Sequence, residues 1–142
     1  MIAAGGIADA RGIAAAFCLG AEGVQIGTAF LACEESGANP LHREAILSGQ
    51  ARHTSLTRGF TGRLARGIHN QLVESLHRPG TEFLPYPLQR ALMRNLALPA
   101  QKAGRTDLLA LWAGQSASLA HCPSVKELFH SLVDDAAEKI NR

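Results

Sequence analysis

The sequence predicts an α/β protein that opens with a parallel βαβ unit and continues as a mainly helical region. Three observations carry this reading. Two short apolar runs, Met1–Ala4 and Glu22–Ile26, flank a segment with helical spacing. Each run ends in a glycine turn, Gly5–Gly6 or Gly27–Thr28, and beyond Thr28 helix and loop signals replace the strand-like runs. Strand, helix and strand at these lengths call for parallel pairing through a crossover.

The elements follow in order. Gly5–Gly6 permits positive φ and a close approach of backbone to a ligand or neighbour. Asp9 is placed to cap a helix over about Ala10–Leu19, with Gly20 just beyond its end. Ile13, Ala16, Phe17 and Gly20 recur at helical spacing and predict one packed face, and Cys18 within the same run reads as a small buried hydrophobe. Pro40–Ser48 reads as a helix with proline in its first turn, stopping at Gly49. Thr54–Thr57 reads as a short extended piece. Arg63–Leu76 and Leu88–Ala103 both read as helices, joined by a Pro/Gly-rich connection over Arg78–Pro87. Asp107–Ala113 is an apolar run leading into Gly114–Gln115–Ser116. In the last helix Ser124 and Glu127 form a capping box, and Val125, Leu128, Phe129, Leu132, Val133, Ala136 and Ile140 are expected to line one face.

Composition narrows the function classes. The 142 residues are 46% hydrophobic, 18% charged and 5% aromatic, with a formal charge of +2. The 14 Lys and Arg are scattered, so no basic tract argues for a nucleic-acid partner. No apolar stretch reaches the roughly 18 residues of a membrane span, and the first residues lack the pattern of a signal peptide. Cys18, Cys33 and Cys122 form no CxxC pair, a usage that fits a cytoplasmic protein. His42, His53, His69, His77, His121 and His130 show no metal-ligand spacing, which leaves no metal site and solvated or locally bonded histidines as the expectation. Arg58, Arg63 and Arg66 could approach an anionic substrate or phosphate, with a solvated or ion-paired helix start as the default reading, and Trp112 reads as either a pocket wall or packing beneath a loop.

The two glycine turns are the informative feature. A phosphate in a (β/α)₈ barrel commonly sits between the loops after strands seven and eight. Backbone N–H groups freed by glycine point at the anion there, the Thr28 hydroxyl would add a donor, and the Gln25 amide would bond a ring or ribityl group of the ligand. The expected fold is therefore the C-terminal part of a (β/α)₈ TIM barrel, strands 7–8 in residues 1–36, followed by a helical region in residues 37–142 packing on the barrel and substrate pocket. A pair of strands buried on both faces needs neighbours, which are expected from chain upstream of Met1. Exposed strand edges also lead to an expectation of a homo-oligomer. No GxGxxG or Walker pattern supports a dinucleotide or nucleotide site.

The segments AAGGIADARGIAAAFCLGAEGVQIGTAFLACEES (Ala3–Ser36), FTGRLARGIHN (Phe60–Asn70), YPLQRALM (Tyr86–Met93) and LWAGQSASLA (Leu111–Ala120) closely resemble the nitronate monooxygenase family, formerly 2-nitropropane dioxygenases. FMN-dependent enoyl-ACP reductases share the first stretch and the AGQ segment. The resemblance implies an FMN enzyme that oxidises alkyl nitronates with O₂ to a carbonyl compound and nitrite. It also implies FMN phosphate contacts at Gly6, Gln25, Ile26, Gly27 and Thr28, with Gly5 shaping the turn. Gly114, Gln115 and Ser116 would approach the substrate side of the flavin. The family's catalytic histidine belongs to a more N-terminal part, so no catalytic acid or base is assigned among the residues here. The alternatives are an FMN-dependent enoyl-ACP reductase and a non-catalytic truncated fragment.

Overall fold

The computed structural model is an α/β fold and describes residues 1–121 and 124–141. Cys122 lies outside the described residues. Strands β1 (Ile2–Ala4) and β2 (Gly23–Gln25) run parallel, with Ile2 opposite Gly23 and Ala4 opposite Gln25. Helix α1 (Ala10–Cys18) joins them. Its first turn is closed by the Asp9 carboxylate, which accepts from Gly12 N at 2.9 Å. That bond, with the Arg11 guanidinium beside it, holds the Asp9 carboxyl below the usual carboxylate range. At the other end Gly20 turns at φ 90°, a conformation costly for any residue with a Cβ.

The packed face of α1 differs from its sequence pattern. Ala10 and Ile13 are buried, whereas Phe17 and Cys18 are exposed. The reason is the partner. The C-terminal helix α6 (Val125–Ile140) returns across the molecule and packs on α1. It brings the single row Leu128, Leu132 and Ala136 into a core with Ile13, Ala29 and Cys33. The capping box holds as expected, with Ser124 Oγ accepting from Glu127 N at 3.2 Å. Val125, Phe129 and Val133 of the same apolar set remain exposed, because they form the adjoining row, away from α1, and Ile140 is exposed at the C-terminal end of the buried row.

Between these ends lies the helical region. The short helix α2 (Thr28–Leu31) follows β2, and α3 (Pro40–Leu47) starts from Asn39, whose Oδ1 accepts from Leu41 N at 2.9 Å. A 3₁₀ turn over Gly49–Arg52 leads to strand β3 (Thr54–Thr57). The expectation of one helix over Arg63–Leu76 is corrected here. Strand β4 (Ala65–Ile68) pairs antiparallel with β3, and a helix, α4 (Gln71–Leu76), begins only after Asn70. Long-range contacts override the helical pattern. Ile68 N donates to Leu111 O at 2.8 Å, Ala113 N donates to Arg66 O at 3.3 Å, and Gly67 bridges Trp112, so β4 is held on both edges. A Cβ on Gly67 would lie 2.7 Å from both Leu111 O and Phe60 Cε2. Arg63 and Arg66 consequently do not open a helix. Arg63 stacks over the Tyr86 ring at 4.5 Å, and Arg66 lies on β4.

Helix α5 (Leu88–Lys102) matches its expected span and is anchored by the buried Gln89. The Gln89 amide donates to Gly59 O at 2.8 Å and accepts from Leu84 N at 3.1 Å. The region's main core gathers Ile46, Ile68, Ala100, Leu111 and Ala117, and a smaller one joins Phe60, Leu72 and Val73. Trp112 packs edge-on against Phe60 with centroids 4.9 Å apart, which settles its role as packing. Among the described residues, no helix is long and apolar enough to cross a membrane.

Asn70 carries an unusual share of this architecture. Its Oδ1 caps α4 by accepting from Val73 N at 3.1 Å, while its Nδ2 donates to Leu109 O at 2.9 Å and Thr106 O at 3.2 Å. Removing all three bonds in Asn70→Ala is expected to cost about 2–4 kcal/mol in urea unfolding. Asn70→Asp keeps the cap acceptor but sets a carboxylate against two carbonyl oxygens, so it should fail to restore stability. An Asp variant as stable as the parent would show that the cap alone matters.

Candidate functional site

Both parallel strands end on the same edge of their sheet, and the turns that follow them face each other there. Gly5 and Gly6 adopt φ of 90° and 73°, so the first turn presents bare backbone. Gly27 follows β2, and no atom lies within 4 Å of where its Cβ would be. The third wall comes from far along the chain. Gly114 N donates to Thr28 Oγ1 at 2.9 Å, and Ser116 Oγ donates to Gly6 O. A Cβ on Gly114 would meet Thr28 Oγ1 at 3.5 Å and Gly6 N at 3.6 Å, so the three segments pack within van der Waals distance of one another here.

The result is a recess of about 270 Å³ at the carboxyl ends of β1 and β2. Gly6, Gln25, Gly27, Thr28, Gly114 and Ser116 line it, together with Ala4, Ile7, Ala8 and Ala117. Six of the eight residues singled out from sequence therefore meet in one cavity. Ile26 does not line it, since its side chain packs against the α1–α6 core. Gln115 is also absent from it and lines a separate groove with Arg52 and Arg66. The small residues Ala4, Ala8 and Ala117 carry no chemical signature in sequence, and their placement depends on tertiary closure.

The recess is uncharged. Among the described residues no acidic or basic side chain lines it, so the polar groups it offers are N–H dipoles, an amide and hydroxyls. The two hydroxyls are not equivalent. Thr28 Oγ1 already accepts from Gly114 N, which leaves its own proton for a ligand. Ser116 spends its proton on Gly6 O and so shapes the turn.

The remaining candidates are placed as follows. His42 Nε2 donates to Trp112 O at 2.8 Å and so fixes the backbone two residues before Gly114. His69 lies between Ser55 Oγ at 2.8 Å and Glu74 Oε1 at 3.3 Å. No group of three His, Cys, Asp or Glu side chains comes together among the described residues.

Burial pushes the His42 imidazole below its ordinary value of 6.5, against the opposing pull of the Trp112 carbonyl. The unfolded chain therefore takes up this proton first as pH falls. The stability carried by neutral His42 is complete above pH 6.5 and declines below it. Thermal melts should show a smaller loss of Tm between pH 6.5 and about 5 for His42→Gln, which keeps an N–H for Trp112 O, than for the parent. Equal pH slopes would mean that His42 is not the linked group.

Comparison with known proteins agrees along almost the whole chain. The family model described as nitronate monooxygenase matches residues 1–135. A probable nitronate monooxygenase of Bacillus subtilis is 45% identical over 136 residues, covering 95% of this chain and 39% of that protein. One from Staphylococcus haemolyticus is 42% identical, covering 94% and 38%. Among solved structures, nitroalkane oxidase from Streptomyces ansochromogenes superposes with a TM-score of 0.88 at 40% identity, covering 96% of this chain and 39% of its own. FabK from Thermotoga maritima superposes with a TM-score of 0.78 at 35% identity, covering 99% and 45%. The chain thus spans about two fifths of the length of the curated relatives it matches.

Proposed function

The chain belongs to the nitronate monooxygenase family, an oxidoreductase family, and from that premise we propose that its protein oxidises alkyl nitronates with O₂ to a carbonyl compound and nitrite, using FMN. The observation that carries the proposal is the glycine-walled recess at the ends of two parallel strands, closed by Gly114 and Ser116. In this reading residues 1–36 are the strand 7–8 part of a (β/α)₈ barrel, and residues 37–142 pack on it. The exposure of Ile2 and the absence of further partners for β1 and β2 among the described residues accord with strands built to have neighbours.

The recess suits the FMN phosphate. Gly6 and Gly27 allow the backbone to approach it, Thr28 donates its free hydroxyl proton, and Gln25 adds an amide at the rim. Ile26 would contribute through its main chain, since its side chain is turned into the core. Ser116 holds the Gly6 carbonyl and keeps that acceptor from facing the anion. Gly114–Ser116 carries the chain from the phosphate recess towards the substrate side. Bound flavin supplies the electron transfer, and the protein's part is to position it and exclude competing chemistry. The cytoplasm is the proposed location.

A reductase reading has one specific support, the structural likeness to FabK. The two are separated with the purified protein that contains this chain. Nitrite release from propionate 3-nitronate or 2-nitropropane is expected, while consumption of NADH or NADPH with a crotonyl thioester would overturn the proposal. For the recess itself, Thr28→Val should weaken FMN binding by about ten- to a hundredfold, because a hydrogen bond to a charged group is lost. Thr28→Ser should retain most of the affinity. Flavin fluorescence titration measures both, and equal affinities for Val and Ser would remove Thr28 from the site.

A further inference from the structure

His42 is half-buried on α3 and lines no part of the recess, yet it is tied to the segment that closes it. That segment, 111–114, is fastened along one edge to β4. Ile68 N donates to Leu111 O at 2.8 Å, and Ala113 N donates to Arg66 O at 3.3 Å. Successive residues of an antiparallel ladder turn their backbone groups to opposite sides. The Trp112 carbonyl and the Gly114 N–H are therefore left to the other edge, where two side chains from elsewhere in the chain meet them. His42 Nε2 donates to the carbonyl at 2.8 Å, and Thr28 Oγ1 accepts from the N–H at 2.9 Å.

The two contacts form one line of imidazole, backbone strip and hydroxyl. The bond from Gly114 takes one lone pair of Thr28 Oγ1, so the direction left for the hydroxyl proton depends on where Gly114 N stands. Gly114 has no side chain to anchor it, and its N–H is placed by the peptides before it. Without the imidazole, a half-buried carbonyl loses its donor and the strip can turn to recover one. Helix α3 does not depend on this bond for its place, since Ala45 and Ile46 bury it in the main core.

Resting on the flavin reading of the recess, we propose that His42 is a positioning residue for the cofactor's phosphate. It touches no part of the ligand. It holds the Trp112–Gly114 strip at the pitch that aims the Thr28 hydroxyl into the recess, and so gives α3 a part in cofactor affinity. The residue that binds and the residue that aims lie 14 positions apart in sequence and on separate helices.

The experiment is a flavin fluorescence titration of the purified protein that contains this chain, freed of flavin, arranged as a double-mutant cycle. His42→Leu is expected to weaken FMN binding about tenfold, while His42→Gln, whose amide N–H replaces Nε2–H, retains most of the affinity. In a Thr28→Val background no hydroxyl remains to be aimed, so His42→Leu should add less than about twofold. Thermal melts without FMN report whether each variant is folded. Should His42→Leu not fold, His42→Asn replaces it: its amide reaches only the position of Nδ1, so it is expected to bind as weakly. Equal affinities for Gln and Leu (or Asn), or a full tenfold loss repeated in the Thr28→Val background, would overturn the proposal. The second result would make His42 a general structural residue that does not act through Thr28. A parent protein that binds no FMN overturns the flavin reading and this proposal with it, whereas a parent that binds FMN while the losses add overturns this proposal alone.

Discussion

Two hydrogen bonds hold the candidate site together: Gly114 N to Thr28 Oγ1 and Ser116 Oγ to Gly6 O. Without them the glycine turns after β1 and β2 are two open loops on an exposed edge. With them, the turns face a third wall and enclose a recess. Much of the helical region serves to deliver that wall. Leu111, Ala113 and Ala117 are buried in its main core, Ala113 N is bonded to β4, and His42 holds the Trp112 carbonyl. The segment enters the site with its backbone fixed on both sides of Gly114, which suits a site whose contacts are main-chain N–H groups and small hydroxyls.

Local signals in the sequence located the βαβ unit and the glycine turns because each depends on residues close together in the chain. Asp9, Gly20 and the capping box at Ser124 are of the same kind. The errors arose where distant partners decide. Leu64, Ile68 and Leu72 repeat at intervals of four and mimic a helix face, yet Leu111, Trp112 and Ala113 draw 65–68 into a strand. The apolar rows of α6 are equivalent in sequence, and only the position of α1 selects Leu128, Leu132 and Ala136 for burial. Cys18 is apolar by neighbourhood but exposed for the same reason.

At the candidate site the distinction repeats. Gly6, Thr28 and Gly114 announce themselves by residue type, since bare backbone and a hydroxyl are what an anion cradle needs. That Gln115 faces a different cavity from its two neighbours was not legible, because the turn of the backbone through 114–116 is set by the bonds to Thr28 and Gly6. Charge segregation is a second property that emerges only in three dimensions. Arg52 and Arg66 lie 14 positions apart in sequence and are brought onto one groove by the β3–β4 hairpin, leaving the adjacent recess uncharged.

The long reach of the two closing bonds has a thermodynamic meaning. They join residues 86 and 110 positions apart. Closing loops of that size costs chain entropy that contacts already made must offset. The recess thus exists only in chains whose intervening segments have packed. Any molecule that fits the finished recess binds the native state alone and draws the folding equilibrium towards it in proportion to its concentration over its Kd. A binding pocket built this way doubles as a checkpoint: its ligand recognises chains that have completed their fold and withdraws them from the pool of partly folded ones.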